Sequence, residues 1–101
     1  AEGKFIYQDE EVTAFWDRRP VTQVHILIMP NKHIQSVNQM TESDAHLIGK
    51  LTLIAKQIAV EQRVDQSGYR LVINTGPDAG QSVFHLHMHL IAGQRMGFRP
   101  S

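Results

Sequence analysis

The chain has no cysteine. Disulfide staples, thiolate zinc sites and cysteine nucleophiles are therefore excluded. Net charge is missing as well, because ten basic residues balance ten acidic ones. Without an overall basic field, non-specific nucleic-acid binding is not expected, while a local phosphate site stays open. No apolar run approaches the roughly 20 residues of a membrane span, so no membrane association is expected. Internal repeats, low-complexity tracts and long linkers are also absent, and a single domain over residues 1–101 is expected. Ala1-Glu2-Gly3-Lys4 has no signal-peptide character, which points to the cytoplasm. What remains is 42% hydrophobic and 20% charged, the composition of a folded domain. A domain this small buries about 65% of its unfolded surface, so pairing with a second copy would help it.

Phe5-Ile6-Tyr7 and residues 12–16 are short β-rich runs separated by Gln8-Asp9-Glu10-Glu11, the pattern of a hairpin. Residues 24–29 are nearly continuous apolar side chains around His25, bounded by Pro30-Asn31. That reads as a central strand buried on both faces. Thr41-Glu42-Ser43-Asp44 offers helix caps. Beyond it Leu47, Ile48, Leu51, Ile54, Ala55 and Ile58 recur at steps of three and four, predicting an amphipathic helix over about 43–63. Leu53 and Val60 lie off that stripe, as stray surface residues or as a second apolar face for a partner subunit. Residues 69–74 read as a strand, Thr75 to Gly80 as a glycine-containing loop and residues 83–92 as a last strand. The sum is α+β, with about five antiparallel strands and one long helix on one face.

The informative segment is Phe84-His85-Leu86-His87-Met88-His89-Leu90-Ile91. Alternate side chains of a strand share a face. His85, His87 and His89 are thus expected to point one way, roughly 7 Å apart, with Leu86, Met88 and Leu90 in a core. A helix would scatter the imidazoles. A row of imidazoles fits two chemistries. Two histidines at i and i+2 can share a zinc ion with a third ligand from elsewhere. Alternatively, imidazole attacks phosphorus or carbonyl carbon and moves protons near neutral pH. Gly80-Gln81-Ser82, just ahead, offers N–H groups, a hydroxyl and an amide to phosphate oxygens, which favours phosphate chemistry.

These residues resemble the histidine triad (HIT) family. His85-Leu86-His87-Met88-His89-Leu90-Ile91 is similar to its His-x-His-x-His-x-x signature, and Ala79-Gly80-Gln81-Ser82-Val83-Phe84 looks like the Hint branch, the nucleoside phosphoramidases. The stretch from Val24 through Pro30-Asn31-Lys32-His33 resembles a second family block, a strand ending in Pro-x-x-His, and Tyr69 to Gly76 a third. The resemblance implies a HIT-like fold and a homodimer whose protomers join their sheets. It implies a purine nucleotide substrate of the AMP type, no metal and no cofactor. His87 would be the nucleophile at the α-phosphorus, its Nδ1–H held by the His85 carbonyl. His89 would contact phosphate and leaving group, with His25 and His85 supporting the proton network. Gly80, Gln81 and Ser82 would meet the phosphate and leaving group, Asp17 the ribose hydroxyls, and Asn74 the nucleotide beside the phosphate. His33 would be structural, and His46 has no motif around it. Arg18 stands where the family more often has an aliphatic residue. Either its stem lines the nucleotide pocket, or Arg18 or Arg19 attracts an extra phosphate. Phe98 replaces a commoner tryptophan in a stretch that bears on leaving-group preference. The implied activity is hydrolysis of nucleoside phosphoramidates through a nucleotidyl-histidine. A nucleotide-binding scaffold and a dinucleoside polyphosphate hydrolase are the alternatives.

Overall fold

The chain opens on the expected hairpin. In the computed structural model, which describes residues 4–97, β1 (Phe5–Gln8) runs antiparallel to β2 (Val12–Trp16). Asp9 makes the turn, its Oδ1 accepting the Glu11 and Val12 N–H groups, each at 2.8 Å. An Asx side chain closing its own turn in this way is why aspartate is favoured there. β3 (Val24–Pro30), β4 (Tyr69–Val72) and β5 (Met88–Ala92) complete a five-stranded sheet of order β1-β2-β3-β5-β4, antiparallel throughout. Gly93 ends β5 with φ of 93°, and a Cβ there would come within 2.9 Å of Gln23 Cβ, so the position demands glycine.

The helix α1 (Ala45–Glu61) is shorter than the 43–63 its periodicity predicts. Its entry is a tight 3₁₀ turn, Glu42–Asp44, where the Thr41 N–H donates to Asp44 Oδ2 at 3.0 Å. At the other end Arg63 takes φ of 61°, Val64 N–H donates to Ala59 O, and Arg63 N–H donates to Val60 O. This is a Schellman closure, which stops the helix two residues early. Leu47, Leu51, Ile54, Ala55 and Ile58 are buried against the sheet, as the stripe predicts, while Leu53 and Val60 are exposed. Lys50 ties the helix to the hairpin turn through Asp9 at 2.9 Å and Glu11 at 3.0 Å. Those contacts hold the Asp9 carboxyl well below the usual range, the Tyr7 hydroxyl and Lys50 ammonium contributing first.

Three expectations need correcting. β3 is central in the sheet but not buried on both faces. Ile26, Ile28 and Pro30 are buried, whereas Leu27 and Met29 are half-exposed, because the helix covers one face only. The last strand covers Met88–Ala92 rather than 83–92. Its partner β3 stops at Pro30, which has no N–H, and Asn31 turns away to donate to Glu11 O at 2.7 Å. In the register that pairs Met88 with Ile28, residues 86 and 87 fall opposite Pro30 and Met29 without extending the ladder and residues 83–85 lie beyond the end of β3, and Leu86 N–H donates to Ile34 O instead. β4 stops at Val72 rather than residue 74, because its last pairing, Val72 with His89, lies near the start of β5. Among the described residues no helix is long and apolar enough to cross a membrane. Phe98 lies outside the described residues.

Candidate active site

The alternation of residues 85–90 outlives the strand that was expected to produce it. Leu86, Met88 and Leu90 are 2%, 4% and 0% exposed and enter the core, while His85, His87 and His89 are half-exposed. The helix occupies the core face. The imidazoles therefore lie on the face of the sheet that the helix leaves uncovered.

The histidines do not form the evenly spaced row predicted. His87 and His89 lie ring to ring, 4.9 Å between centroids, and His89 continues to His25 at 5.2 Å. His85 turns aside, stacked edge-on with His33 at 5.2 Å, its Nε2–H donating to Pro30 O at 2.8 Å. Because residues 83–87 are irregular, the side chain at 85 follows the end of β3 instead of the pleat of β5. The row of rings is thus His25, His89, His87. His33 stands with His85 outside that row, its Nε2 3.1 Å from Phe84 O.

Each ring of that row has at least one nitrogen committed, and His25 has both. His87 Nδ1 lies 2.7 Å from His85 O. A carbonyl only accepts, so Nδ1 carries a hydrogen, and in the neutral ring Nε2 is the lone pair. His25 Nε2 lies 2.9 Å from His89 Nδ1 and 3.3 Å from Asp17 Oδ2, and the Val21 N–H donates to His25 Nδ1 at 3.1 Å. Burial, the largest influence, pushes His89 down to about 4, with His87 and His25 adding to it. Burial also lowers His25, against the pull of Asp17. Both shifts favour the neutral ring.

A cavity of about 180 Å³ opens beside this group, lined by Val21, His25, Val72, Asn74, His89 and Ile91. Asn74 thus shares this cavity with His25 and His89. Asp17 sits against His25, with its Oδ1 accepting the Arg19 N–H at 2.7 Å. Arg18, Gly80 and Ser82 are exposed, Gly80 with φ of 88° at the end of a short turn, Pro77–Ala79. Gln81 departs from expectation. It is 6% exposed, its Oε1 accepts the Gly76 N–H at 2.9 Å, and its Nε2 donates to Gln35 O and Val83 O. Its own N–H donates to Gly76 O at 3.0 Å. Every donor Gln81 has is engaged inside the protein. It braces the loop that carries Ser82 rather than meeting phosphate. The residue that sequence reasoning missed is Val21, whose contribution is a main-chain N–H and so has no signature in residue type.

The zinc alternative can be weighed on the same contacts. Asp17, His25 and His89 offer ligand atoms within 4.8 Å of one another. A ligating imidazole, however, needs its second nitrogen protonated and facing an acceptor. His25 Nδ1 faces the Val21 N–H, so binding through Nε2 would set donor against donor. These residues do not fit a metal.

The HIT domain pattern matches residues 1–96. The chain belongs to the HIT family. It is 41% identical over 92 residues to the purine nucleoside phosphoramidase of Escherichia coli strain K12, covering 91% of this chain and 77% of that one. An uncharacterized HIT-like protein of Buchnera aphidicola is 42% identical over 94 residues, 93% of this chain and 84% of that protein. Among solved structures, a HIT family hydrolase from Legionella pneumophila superposes with a TM-score of 0.95 at 35% identity, covering 100% of this chain and 90% of the other. A histidine triad protein from Clostridium difficile gives 0.94 at 34% identity, covering 98% and 86%.

Proposed function

We propose that this HIT-family hydrolase cleaves purine nucleoside phosphoramidates, in the cytoplasm, through a nucleotide covalently held on His87. The observation that carries the reading is the 2.7 Å contact between His87 Nδ1 and His85 O, which fixes a hydrogen on Nδ1 and so makes Nε2 the lone pair of the neutral ring. Nε2 attacks the α-phosphorus, the P–N bond breaks, and the amine departs having taken up one proton. Water then attacks the nucleotidyl-histidine, releases the nucleoside monophosphate and returns one proton, so the sum is addition of one water. Dividing one displacement into two is the ordinary gain of covalent catalysis. His89 lies beside the attacking ring and lines the cavity with Asn74, which suits both to the phosphate and the nucleotide. Asp17 retains acceptor capacity for ribose hydroxyls. Gly80 and Ser82 offer donors at the loop, and Arg18 stands exposed at the margin.

The same reading includes a homodimer joined through β4. Two edges are available in the described sheet, β1 and β4. β1 carries a register irregularity between Phe5 and Tyr7, the kind of bulge that blunts an edge, while the pairing of β4 is regular.

Replacing His87 with alanine is expected to lower the turnover of an adenosine 5′-phosphoramidate by about three orders of magnitude or more while AMP still binds. Mass spectrometry of wild-type protein quenched during turnover should find the nucleotidyl group on His87. Near wild-type turnover by His87→Ala would remove the nucleophile and with it this mechanism.

A further inference from the structure

Val21 and Asp17 make two independent demands on the same ring. The Val21 N–H lies 3.1 Å from His25 Nδ1, which must therefore be an acceptor. The Asp17 carboxylate lies 3.3 Å from His25 Nε2, where a lone pair would be repelled and an N–H is attracted. Both contacts require the proton on Nε2. That proton then points at His89 Nδ1, 2.9 Å away, which must accept it. An imidazole accepting through Nδ1 carries its own hydrogen on Nε2.

We infer that the Val21 main-chain amide, acting through His25, fixes His89 as a neutral imidazole whose single N–H, on Nε2, is presented to the cavity. Val21 and His25 are in this sense positioning residues. Doubly protonated His89 would turn an Nδ1–H against the Nε2–H of His25. Relief by shifting the His25 proton to Nδ1 would set it against the Val21 N–H. The arrangement has one stable pattern of hydrogens and no second one nearby. The groups facing His89, namely His25, His87 and the Asp17 carboxylate beyond His25, come from three different segments, and all are satisfied by that pattern. Burial of the ring acts in the same direction.

The consequence for catalysis rests on the function proposed above. His89 stabilises the phosphoryl group or the leaving nitrogen by donating a hydrogen bond as a neutral ring, and it is not stored as an imidazolium acid. The hydrogen pattern itself does not depend on that function. Cavity-lining Val21 thus matters by its backbone, and its exposed side chain, 68% accessible, is free to vary.

Histidine tautomers are read directly from two-bond proton–nitrogen correlation spectra of protein labelled with ¹⁵N-histidine. His25 and His89 are assigned by the signals lost in His25→Gln and His89→Gln. Both rings are expected to be neutral and protonated on Nε2 at neutral pH. A proton on Nδ1 of either ring, or a doubly protonated His89, overturns the inference. Val21→Pro deletes the N–H and is expected to give His25 a mixture of tautomers and to lower kcat more than it raises KM. If both rings remain wholly Nε2-protonated in a folded Val21→Pro protein, the amide is not what fixes them. Should that variant fail to fold, Asp17→Asn serves, because its amide can turn an N–H towards His25 Nε2 and is expected to shift the same signals. No change in them overturns the demand assigned to Asp17. His25→Gln keeps an N–H near the place of Nε2 and should lose about tenfold less activity than His25→Leu. Equal losses would remove the positioning role. Protein with these tautomers but no phosphoramidase activity would sink the proposed function alone.

Discussion

Residues 85–90 separate two surroundings within six positions of chain. On one side Leu86, Met88 and Leu90 meet the helix and need only volume and apolar surface. On the other, His85, His87 and His89 each have a particular nitrogen tied to a particular atom: Pro30 O, His85 O and His25 Nε2. The first side holds the fold through area removed from water, a non-directional quantity. The second holds direction, because a ring turned by half a revolution puts a C–H where each hydrogen-bonding nitrogen stood. Stability and chemistry thus use the same segment with little shared machinery, and each can be disturbed almost independently.

The largest stability effect that would test this separation is on the core side. Leu90→Ala removes a side chain with 0% exposure between the sheet and α1, and a loss of about 2–5 kcal/mol is expected from transfer and cavity terms. Urea unfolding monitored by Trp16 fluorescence measures it. Below the transition, the folded variant should retain most of its phosphoramidate turnover. A fall in activity as deep as that expected for His87→Ala would show that the two sides are coupled.

The imidazole side predicts a smaller, pH-dependent effect. His89 is depressed from 6.5 to about 4 by burial, so the unfolded chain binds its proton first as pH falls. The contribution to stability is complete above about pH 6.5 and is lost progressively down to about 4. About 2 kcal/mol is expected after allowing for the partial exposure of the ring. His25 shifts in the same direction and adds to the slope. The carboxylates Asp9, Glu11 and Asp44 are lowered instead, and their loss belongs to more acidic solutions. His89→Gln should flatten the urea midpoint between about pH 6.5 and 4 while leaving the more acid limb unchanged. An unaltered slope would mean that the ring is not held neutral by its surroundings.

The two sides were unequally legible in the sequence. Period-two alternation and a stripe at steps of three and four depend on which face is buried, so the hairpin, the helix and the direction of Leu86, Met88 and Leu90 could be read before any coordinates. Where a strand ends depends on its neighbour. Nothing in Val83-Phe84-His85 says that β3 has already finished at Pro30, and the predicted strand ran five residues too far toward the N-terminus (83 against Met88). His87 and His89 were legible from their spacing, and the His85 carbonyl as partner of His87 from the family resemblance. The Val21 amide was not legible, since every non-proline residue owns the same N–H and only the folded chain says where it points. Gln81 misled for a related reason. A polar side chain in a glycine-containing loop before a row of histidines suits phosphate equally well on paper.

Gln81 also supplies the smallest and sharpest test of the separation, because it touches neither the core nor the rings. Its side chain joins the two ends of its own loop, Gly76 and Val83, to Gln35 on the far side of the triad segment. Gln81→Ala leaves one part-buried N–H and two carbonyls without their partner, although water can reach some of them at the loop surface. About 1 kcal/mol of stability is expected to be lost, well below Leu90→Ala. The effect on catalysis should be disproportionate, about tenfold in kcat, because the brace sets where Ser82 and the approach to His85 stand. Gln81→Glu keeps the acceptor for the Gly76 N–H but sets a carboxylate against the carbonyls of Gln35 and Val83. It should therefore be no better than alanine. Were Gln81 a phosphate contact instead, Gln81→Ala would raise KM for the nucleotide and leave stability alone, and unfolding and steady-state kinetics on the same preparation tell the two roles apart.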